Sequence, residues 1–556
     1  MMKKFSLILA LFLFVEVFLP IHAKTVTISL SQKNVDITST LKSHAKGLTP
    51  RDTLAVNLGK GKFFLAGTVK ITANVVITGK GHKKSFIECL DNNNFTDDCY
   101  LHVSGYKNRP VTVTVKDLNL SLAHHNDFWW DRSHQHYLLK IYHANRVDVS
   151  NIDSYMNNST GTNLNLRVCS NVNITNCNLT NYNNNRTGGI LWINGNTENV
   201  SVTKCKFHKC GNDEVIALFG NSDDAYKWYG GNDSCYKRNI FFDRNEFYFE
   251  RGKDDEEMCT DVALSIFTQE GNETNTVNTI LDNIRFCDNS ITVDSEVKDL
   301  FMVRFDDKAT HSGIVFDNNM IEYTEASSAT NSFRVGFRCI DHSTEKSPIE
   351  ITGNTLHSAC TVLDNGRNAQ TFLVVDGATV HMSGNHINTD ITQSDYTANK
   401  RVGTTLMWFQ KNGGKLTLEN NYCNGLYALG NLSNSHTLPK VELIANKNFF
   451  EGCTSINCNN IDRLDLHFTE NTFLSTKWEF FLVEFAKTGS IVFNHNTVNA
   501  VNKGGALLCK YKKGSMDDFV LEEVEIVGNQ FVNVNQNDFL KNLGNIKKKT
   551  IKGNRF

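Results

Sequence analysis

Between residues 418 and 498 the chain repeats a short pattern of apolar and polar positions. An apolar residue is followed by two variable residues, an asparagine, one variable residue and usually a second apolar residue, which is displaced to Phe449 in one copy. Four successive asparagines are 25 residues apart: Asn421, Asn446, Asn471 and Asn496. A fixed period of this kind is typical of stacked structural repeats. Apolar alternation on both sides of a corner predicts two short β-strands in each repeat.

The same pattern extends toward both ends of the chain. Eleven asparagines share the corner position when the following are added: Asn245, Asn289, Asn319, Asn354, Asn385, Asn529 and Asn554. Toward the N-terminus the position holds Cys205, Cys177, Ile152 and Leu118, after a first corner at Ile77–Lys80. Intervals range from 25 to 44 residues, so insertions occur in other parts of the repeat.

Asparagine suits a tight corner because it tolerates the left-handed backbone conformation. Its amide both donates and accepts hydrogen bonds, so asparagines on adjacent coils can bond one another in a continuous ladder. The sequence therefore predicts a solenoid of about fifteen coils, each rising by one strand spacing of about 4.8 Å.

Composition excludes several other classes of protein. The 556-residue chain exceeds one ordinary globular core yet contains no Pro/Gly-rich linker, which a solenoid explains because each coil needs only its neighbours. With 57 basic and 59 acidic residues there is no basic footprint for nucleic acid or an anionic membrane. The count of only 5 prolines fits closely paired strands.

Residues 1–23 are predicted to be a cleavable secretory signal. Lys3 and Lys4 precede an apolar run, and Ala23 ends a plausible cleavage site. No cysteine follows that would take a lipid anchor, and no later run is long enough to span a bilayer, so we expect a secreted, periplasmic or cell-surface protein. Most of the 15 cysteines are expected to be buried thiols, with one or two local disulfides.

Residues 24–80 are predicted to form an N-terminal cap and the first coil. An amphipathic helix is expected over Asp36–Leu48 with Leu41 on its apolar side, followed by short glycine-punctuated strands. The segment DTLAVNLGKGKFFLAGTVKITANVVITGKG resembles the opening of right-handed parallel β-helix proteins of the pectate-lyase and polygalacturonase superfamily. The resemblance implies an all-β, right-handed parallel β-helix with an N-terminal capping helix, the solenoid occupying residues 81–556.

In that superfamily the strand sheet after the corner strands forms the wall of the substrate groove. The corresponding segments here are 138–142, 164–168, 190–193, 215–219, 262–267, 300–305, 333–339, 371–375, 405–409, 480–485 and 506–510. Burying an unpaired charge is costly, so we expect the charged residues within these segments to lie in the groove: Arg167, Arg304, Arg334, Arg338 and Glu484.

The stretch Gly211–Leu218 resembles the Gly-Asp-Asp turn of polygalacturonases, in which two carboxylates share inverting hydrolysis. Asp213 matches the second acid, but Asn212 stands at the first. The preceding coil has Gly188-Gly189 and the following one has Thr260-Asp261 where that family has further active-site residues. Polygalacturonase activity is therefore not expected to carry over.

The acids of this region nevertheless suggest chemistry. Asp213, Asp261 and Asp299 begin equivalent strands on successive coils and are expected to stack, with Glu214 beside the first. Stacked carboxylates raise a pKa or recruit a cation such as Ca²⁺, which suits general acid catalysis or β-elimination of a uronate. Arg304 and Arg167, then Lys140, are candidates for the lyase base. The alternative is that the acids cap strand ends or pair with arginines.

Two long inserts flank these coils, near residues 121–137 and 221–238. They are rich in aromatic residues that could stack on sugar rings: Trp129, Trp130, Tyr137, Tyr226 and Trp228. Together with Lys140 they form the predicted substrate-binding set; the alternative is that the inserts simply pack against the rod.

Two functions remain open on the sequence. The first is a secreted enzyme, a polysaccharide lyase or glycoside hydrolase acting in the groove. The second is a non-catalytic β-helix that binds glycan or serves as a surface scaffold. The pattern also continues to Phe556, and an open last coil is expected to self-associate or to be covered by a partner.

Overall fold

The computed structural model describes most of the chain after residue 22. The described residues are 23–90, 99–122, 136–157, 161–212, 214–219, 234–250, 262–268, 278–294, 297, 299–324, 335–359, 370–390, 404–475, 479–483, 486–500, 507–511, 520–541, 543 and 545–556.

The strands form three parallel ladders, because each strand pairs with its equivalent one coil further along the chain. We call them the A, B and C ladders, and the chain passes through B, the asparagine corner, C and then A in every coil. This is the geometry of a parallel β-helix, and the all-β, parallel prediction is confirmed. The predicted groove-wall segments lie on the A ladder.

Strands of the A ladder are β5 (Val69–Ile71), β8 (Cys99–Ser104), β13 (Leu191–Asn194), β16 (Glu214–Phe219), β19 (Val262–Phe267), β22 (Asp299–Phe305), β25 (Val335–Asp341), β28 (Gln370–Asp376), β31 (Thr404–Phe409), β37 (Glu479–Val483) and β40 (Leu507–Tyr511). Strands of the B ladder are β1 (Thr25–Leu30), β3 (Thr53–Leu58), β6 (Asn74–Thr78), β14 (Thr197–Thr203), β17 (Ser234–Asp243), β20 (Asn278–Cys287), β23 (Ala309–Asp317), β26 (Ile349–Thr352), β29 (Thr379–Ser383), β32 (Gly414–Glu419), β38 (Ala486–Asn494), β41 (Val520–Val527) and β43 (Asn545–Lys552).

Strands of the C ladder are β2 (Val35–Asp36), β4 (Gly61–Leu65), β7 (Ser85–Cys89), β12 (Asn178–Thr187), β15 (Lys206–Asn212), β18 (Glu246–Phe249), β21 (Ser290–Val293), β24 (Met320–Tyr323), β27 (Thr355–Ser358), β30 (His386–Thr389), β34 (Phe449–Gly452), β36 (Thr472–Ser475), β39 (Thr497–Ala500) and β42 (Gln530–Val532). Five longer strands bend from one ladder into the next: β9 (Val111–Leu122), β10 (His136–Asn157), β11 (Gly161–Thr175), β33 (Tyr422–Asn446) and β35 (Ile456–Thr469).

The core is a single continuous column inside the coils. Alternate residues of each strand point inward and stack on the equivalent residue of the next coil, as Leu264, Phe301 and Phe337 do on the A ladder. Phenylalanine rings meet at stacking distance along this column; the Phe301 and Phe337 centroids are 4.7 Å apart. Burial of these apolar side chains against the neighbouring coils supplies the main stabilisation of each coil.

The predicted asparagine ladder is present at the corner between B and C. In a typical rung, the Asn354 backbone N–H and Nδ2 both donate to Asn385 Oδ1, at 2.9 and 3.0 Å, and Nδ2 also donates to the Phe316 carbonyl at 2.9 Å. The ladder runs unbroken from Asn245 to Asn554. Each buried amide is thereby satisfied by the adjacent coil.

One assigned rung was wrong: the ladder residue is Asn448, not Asn446. Asn448 bonds Asn421 and Asn471, which are 27 and 23 residues away in sequence. Ala445 is in register with Leu418 and Phe468, and Lys447 takes the left-handed corner conformation at φ 56. The corner therefore lies two residues later than an even spacing of 25 residues places it.

At the N-terminal end other side chains fill the same position. The Cys205 N–H donates to Asn245 Oδ1 at 2.9 Å, and the thiols of Cys177 and Cys205 approach carbonyls of the preceding coil. Ile152 and Leu118 are buried there, as predicted. At the first corner, Ile77–Lys80, the predicted corner residue was wrong. Lys80 is exposed, and its N–H donates to Ser85 Oγ. The buried residue beside Leu118 is Ser85. Free thiols among the described cysteines include Cys89, Cys169, Cys177, Cys205, Cys287, Cys339 and Cys423.

In the described part of the chain two short helices accompany the strands. Helix α1 (Thr38–Ala45) lies within the predicted Asp36–Leu48 segment, buries Leu41 and contacts β5. Helix α2 (Gln536–Phe539) is capped by Asn535, whose side chain accepts from the N–H groups of Asn537 and Asp538. Neither helix, nor any other in the described part of the chain, is long and apolar enough to cross a membrane.

A second asparagine ladder, which the sequence analysis missed, lies on the outside of the B strands. Asn283 donates to Asn239 at 2.9 Å, Asn239 to Asn199 at 3.1 Å and Asn199 to Asn171 at 3.2 Å. All four have φ between 51 and 56, so they mark a bend within the B ladder. Their amides hold that bend in register over four coils.

Candidate functional site

On the outward side of the A ladder, here called the A face, strand register aligns one file of residues from coil to coil. Strand register places the following residues on successive rungs: Ser104, Tyr142, Arg167, Asn194, Phe219, Phe267 and Arg304. We call this set the A-face file. Adjacent rungs are one strand spacing apart, about 4.8 Å, because equivalent residues of parallel strands lie side by side. Aromatic and cationic residues therefore share one line along the helix axis.

Arg167 is held in place by its neighbours on this face. Its Nε donates to Asn165 Oδ1 at 3.2 Å, and its guanidinium carbon lies 5.4 Å from the centroid of the Tyr142 ring. A cation near an aromatic ring at this distance is attracted by the ring quadrupole. Arg167 thus presents a positioned, half-buried charge beside an aromatic surface.

A buried layer supports that charge. The Lys140 ammonium lies 4.9 Å from the Tyr137 ring and 5.0 Å from the Tyr142 ring, with only 6% of Lys140 exposed. The Tyr137 and Trp192 rings meet edge to face with centroids 6.2 Å apart. Tyr137 and Lys140, two of the predicted substrate-binding residues, are therefore brought together, but beneath the surface.

Arg304 lies at the far end of the file and is exposed to solvent. Its register neighbours are the half-buried Phe267 on one side and Ile340 on the other. Arg167 and Arg304 were both predicted as groove residues, and both lie on the A-face file. Three rungs separate them.

Asp299 is not part of an acid stack among the described residues. Its Oδ1 accepts from Arg338 Nε at 2.7 Å, with the two side chains 5% and 14% exposed, and its register neighbour on the next coil is Val335. A carboxylate tied to a guanidinium is a poor addition to a Ca²⁺ site. No group of three or more His, Cys, Asp or Glu side chains able to hold a metal occurs within the described ranges.

Eight of the predicted site and groove residues lie outside the described residues: Asp213, Asp261, Trp129, Trp130, Tyr226, Trp228, Arg334 and Glu484. Glu214 begins β16 and is half-buried, in register with Val262 of the next coil. By continuation of the β19–β22 register, Asp299 lies on the Val262 rung, one residue beyond the position of Asp261. The predicted direct stacking of acid on acid therefore does not extend to Asp299.

Several buried polar atoms on the A face make no hydrogen bond with the described residues. They include Asn165 Nδ2, Asn194 Oδ1 and Ser265 Oγ, and these residues are at most 3% exposed. Leaving a buried polar atom unsatisfied costs about 1–3 kcal/mol, so such atoms call for an explanation. Asn165 and Asn194 both adjoin Arg167, the first through its hydrogen bond and the second through strand register.

The sequence analysis missed Tyr142, Asn165, Asn194 and Trp192 as members of this face. The signal was available in the alternation of Leu139, Lys140 and Ile141 and of the matching strands, whose inward apolar residues fix the outward phase. Because inward and outward residues alternate along each strand, identifying the inward apolar residues of a coil also identifies its outward residues.

No family model and no curated protein matches the chain. Among solved structures, the chain is similar to a mannuronic acid specific polysaccharide family 6 lyase from human gut microbiota, with a TM-score of 0.31 and 12% identity over 95% of this chain and 92% of that one. A PL6 alginate lyase in complex with a trisaccharide gives a TM-score of 0.34 and 11% identity over 96% and 89%. The Agl-KA catalytic domain gives 0.33 and 12% over 95% and 68%. These TM-scores are too low to carry an argument, so function has to be inferred from this chain's own side chains.

Proposed function

We propose that this protein is a carbohydrate-active β-helix protein that binds an acidic polysaccharide along the A face. The observation that carries the proposal is the A-face file, on which Tyr142, Arg167, Phe267 and Arg304 lie in one line. From Tyr142 to Arg304 the file has six rungs and therefore spans five strand spacings, about 24 Å. A linear chain of sugars fits such a line better than a compact ligand does.

The charges on this face favour an acidic sugar. Arg167 and Arg304 each present a guanidinium, which pairs with a carboxylate through two parallel hydrogen bonds. Among the described acids near the file, Asp299 is already neutralised by Arg338. Aromatic rings such as Tyr142 and Phe267 offer apolar surface for the faces of sugar rings.

The unsatisfied atoms on the same face support a polar ligand. Asn165 Nδ2 is a donor and Asn194 Oδ1 an acceptor, and both adjoin Arg167. Sugar hydroxyls both donate and accept, so a saccharide that displaces the groups covering these two buried atoms would satisfy both. An acidic sugar at Arg167 therefore combines a charge, a donor and an acceptor in one place.

As an enzyme, the protein is proposed to be a lyase that cleaves by β-elimination. In that reaction a base removes the proton next to a carboxylate whose charge a cation neutralises. Arginine stays protonated in proteins, so Arg167 and Arg304 suit neutralisation of the carboxylate better than proton removal. Lys140 remains a candidate base. The protein could instead be a hydrolase. Hydrolysis needs two carboxylates flanking the glycosidic bond, and the candidates for these carboxylates are Asp213, Glu214 and Asp261.

The second candidate is a glycan-binding scaffold without catalysis. Two observations favour it: Asn212 replaces the first acid of the polygalacturonase turn, and Asp299 is paired with Arg338. A scaffold would still use the A-face file, because stacking rings and guanidinium groups bind sugar without any acid or base.

A panel of acidic and neutral polysaccharides separates these functions. A lyase produces unsaturated ends that absorb in the ultraviolet; a hydrolase produces reducing ends without that absorbance; a scaffold binds with neither product. Binding of neutral polysaccharides only would overturn the proposal. If activity is found, the variant Asp213→Asn/Asp261→Asn is expected to lose it, and full retention would remove both acids from the site.

Further features are proposed with this function. We infer a right-handed turn of the helix, a cap formed by α1 within residues 24–80, secretion directed by residues 1–23, and self-association through the last coil. N-terminal sequencing of the mature protein tests the signal, and light scattering at high concentration tests self-association. The described residues do not fit a Ca²⁺ site, because Asp299 already forms an ion pair with Arg338. The proposal therefore includes no step that uses Ca²⁺.

A further inference from the structure

The turn that follows the first rung of the A-face file exposes an aromatic ring between basic residues. Ser104 is in register with Tyr142, and the chain leaves β8 directly into Gly105-Tyr106-Lys107-Asn108-Arg109-Pro110. Tyr106 is 59% exposed, more than any other described tyrosine. The six residues include Lys107 and Arg109 and no acid. We call this segment the Tyr106 turn.

The Tyr106 turn is a built element and its geometry does not depend on its side chains. The Tyr106 N–H donates to the Arg109 carbonyl at 3.0 Å, and the Arg109 N–H donates to the Tyr106 carbonyl at 2.9 Å. Gly105 fastens the turn to the next coil, since its N–H donates to the Tyr142 carbonyl at 2.9 Å. A Cβ at Gly105 would lie 2.5 Å from the His143 carbonyl, so glycine is required there.

The turn lies at the same end of the A face as Tyr142, because the Gly105 N–H donates to the Tyr142 carbonyl. Burial lowers the pKa of His143, which follows Tyr142, and the charge of Lys107 lowers it further. Arg109 forms no ion pair with any described residue. An exposed ring three residues from an unpaired arginine contributes little to folding, since exposed charges add little stability. It is a suitable contact for an anionic, ring-containing ligand.

We propose that the Tyr106 turn is a second binding site for an acidic polysaccharide, engaging the part of the chain that extends past the Tyr142 end of the A-face file. Tyr106 stacks on a sugar ring and Arg109 binds a carboxylate. This inference rests on the proposed function of the A face, and adds to it a second contact. Because a chain already bound to the file presents its next units to the turn at high effective concentration, the turn raises affinity only for long chains.

The test uses calorimetric titration with oligomers of polygalacturonate and of polymannuronate. Short oligomers span only the A-face file, and long ones are at least twice that length. The variant Tyr106→Ala/Arg109→Ala is expected to weaken binding of long oligomers about tenfold or more and to leave short ones unchanged. Its melting temperature should match the parent protein, because the bonds of the turn are between backbone atoms.

The matched control is Tyr422→Ala/Arg555→Ala, which removes a 39% exposed tyrosine and an exposed arginine far from the A face. It should bind both lengths like the parent protein. Equal weakening of short and long oligomers by the turn variant, or no weakening of either, overturns the second site while leaving the proposed function intact. Failure of the parent protein to bind any acidic oligomer overturns both.

Discussion

Asn448 shows how one side chain joins three coils. Its Nδ2 donates to the Leu418 carbonyl at 3.0 Å and to Asn471 Oδ1 at 2.9 Å, while its own Oδ1 accepts from Asn421. Substitution by alanine leaves several buried groups unsatisfied at once. We therefore expect Asn448→Ala to lower the free energy of unfolding by about 3 kcal/mol or more.

The matched variant for that measurement is Asn446→Ala, two residues earlier. The Asn446 side chain makes no hydrogen bond with the described residues, so we expect a loss of less than about 1 kcal/mol. Urea unfolding of the two variants compares them directly. Equal losses would contradict the assignment of the rung to Asn448.

Lys237 is a charge inside the column, and it makes stability depend on pH. Its ammonium donates to the Gly195 carbonyl at 2.7 Å, and burial lowers its pKa from 10.5 to about 8. The folded state therefore binds fewer protons than the unfolded state between these two values, so stability should rise from pH 8 to pH 10.5. Below that window the buried charge costs about 3 kcal/mol.

The substitution Lys237→Met removes that cost, so we expect the variant to be the more stable protein at neutral pH. Its advantage should shrink as the pH rises, because the lysine of the parent protein loses its charge. Thermal melts at both ends of the window measure the difference. Lys206→Met, which removes a surface ion pair with Glu246, should change little at either pH, and a constant advantage of Lys237→Met would refute the explanation.

At the scale of the element, each ladder has one outward face, and the faces differ in charge and chemistry. Arg304 on the A face and Arg285 on the outside of the B ladder are both exposed arginines. We expect Arg304→Ala to weaken binding of an acidic polysaccharide about tenfold, the loss of one charge-assisted contact. Arg285→Ala should leave affinity unchanged. Titration at fixed salt measures both, and equal effects would show that attraction by overall charge, rather than the A-face file, determines binding.

Strand alternation was enough to predict the elements, because apolar residues on one side of each strand must face the column. It predicted the A-ladder segments and ten of the eleven asparagine rungs. It could not predict register between coils whose lengths differ, which is why Asn448, Ser85 and the position of Asp299 relative to Asp261 differ from expectation. Nor could it show that Arg338 binds Asp299, since that pair joins residues 39 apart. The outer Asn171–Asn283 ladder lies on a bend that no apolar pattern marks.

At the scale of the whole molecule, stability is a sum over neighbouring coils. Nearly all pairings join a strand to the equivalent strand one coil away, so a local defect need not unfold distant coils. In the middle of the column, phenylalanines contact one another on successive coils. Toward the C-terminus the column ends at α2, whose Phe539 ring lies 4.5 Å from Phe531 and 6.1 Å from Phe493.

This arrangement predicts that damage at the end of the column stays there. Phe539→Ala removes a fully buried ring, a loss of about 3–5 kcal/mol for the packing around it. We expect faster amide hydrogen exchange in β39, β41 and β42, the strands of the last coils, and unchanged protection in β19 and β22. The control Phe301→Ala, in the middle of the column, should instead accelerate exchange in β19 and β25, on either side of it. Acceleration across all ladders in the Phe539 variant would show that the molecule opens as one cooperative unit rather than coil by coil.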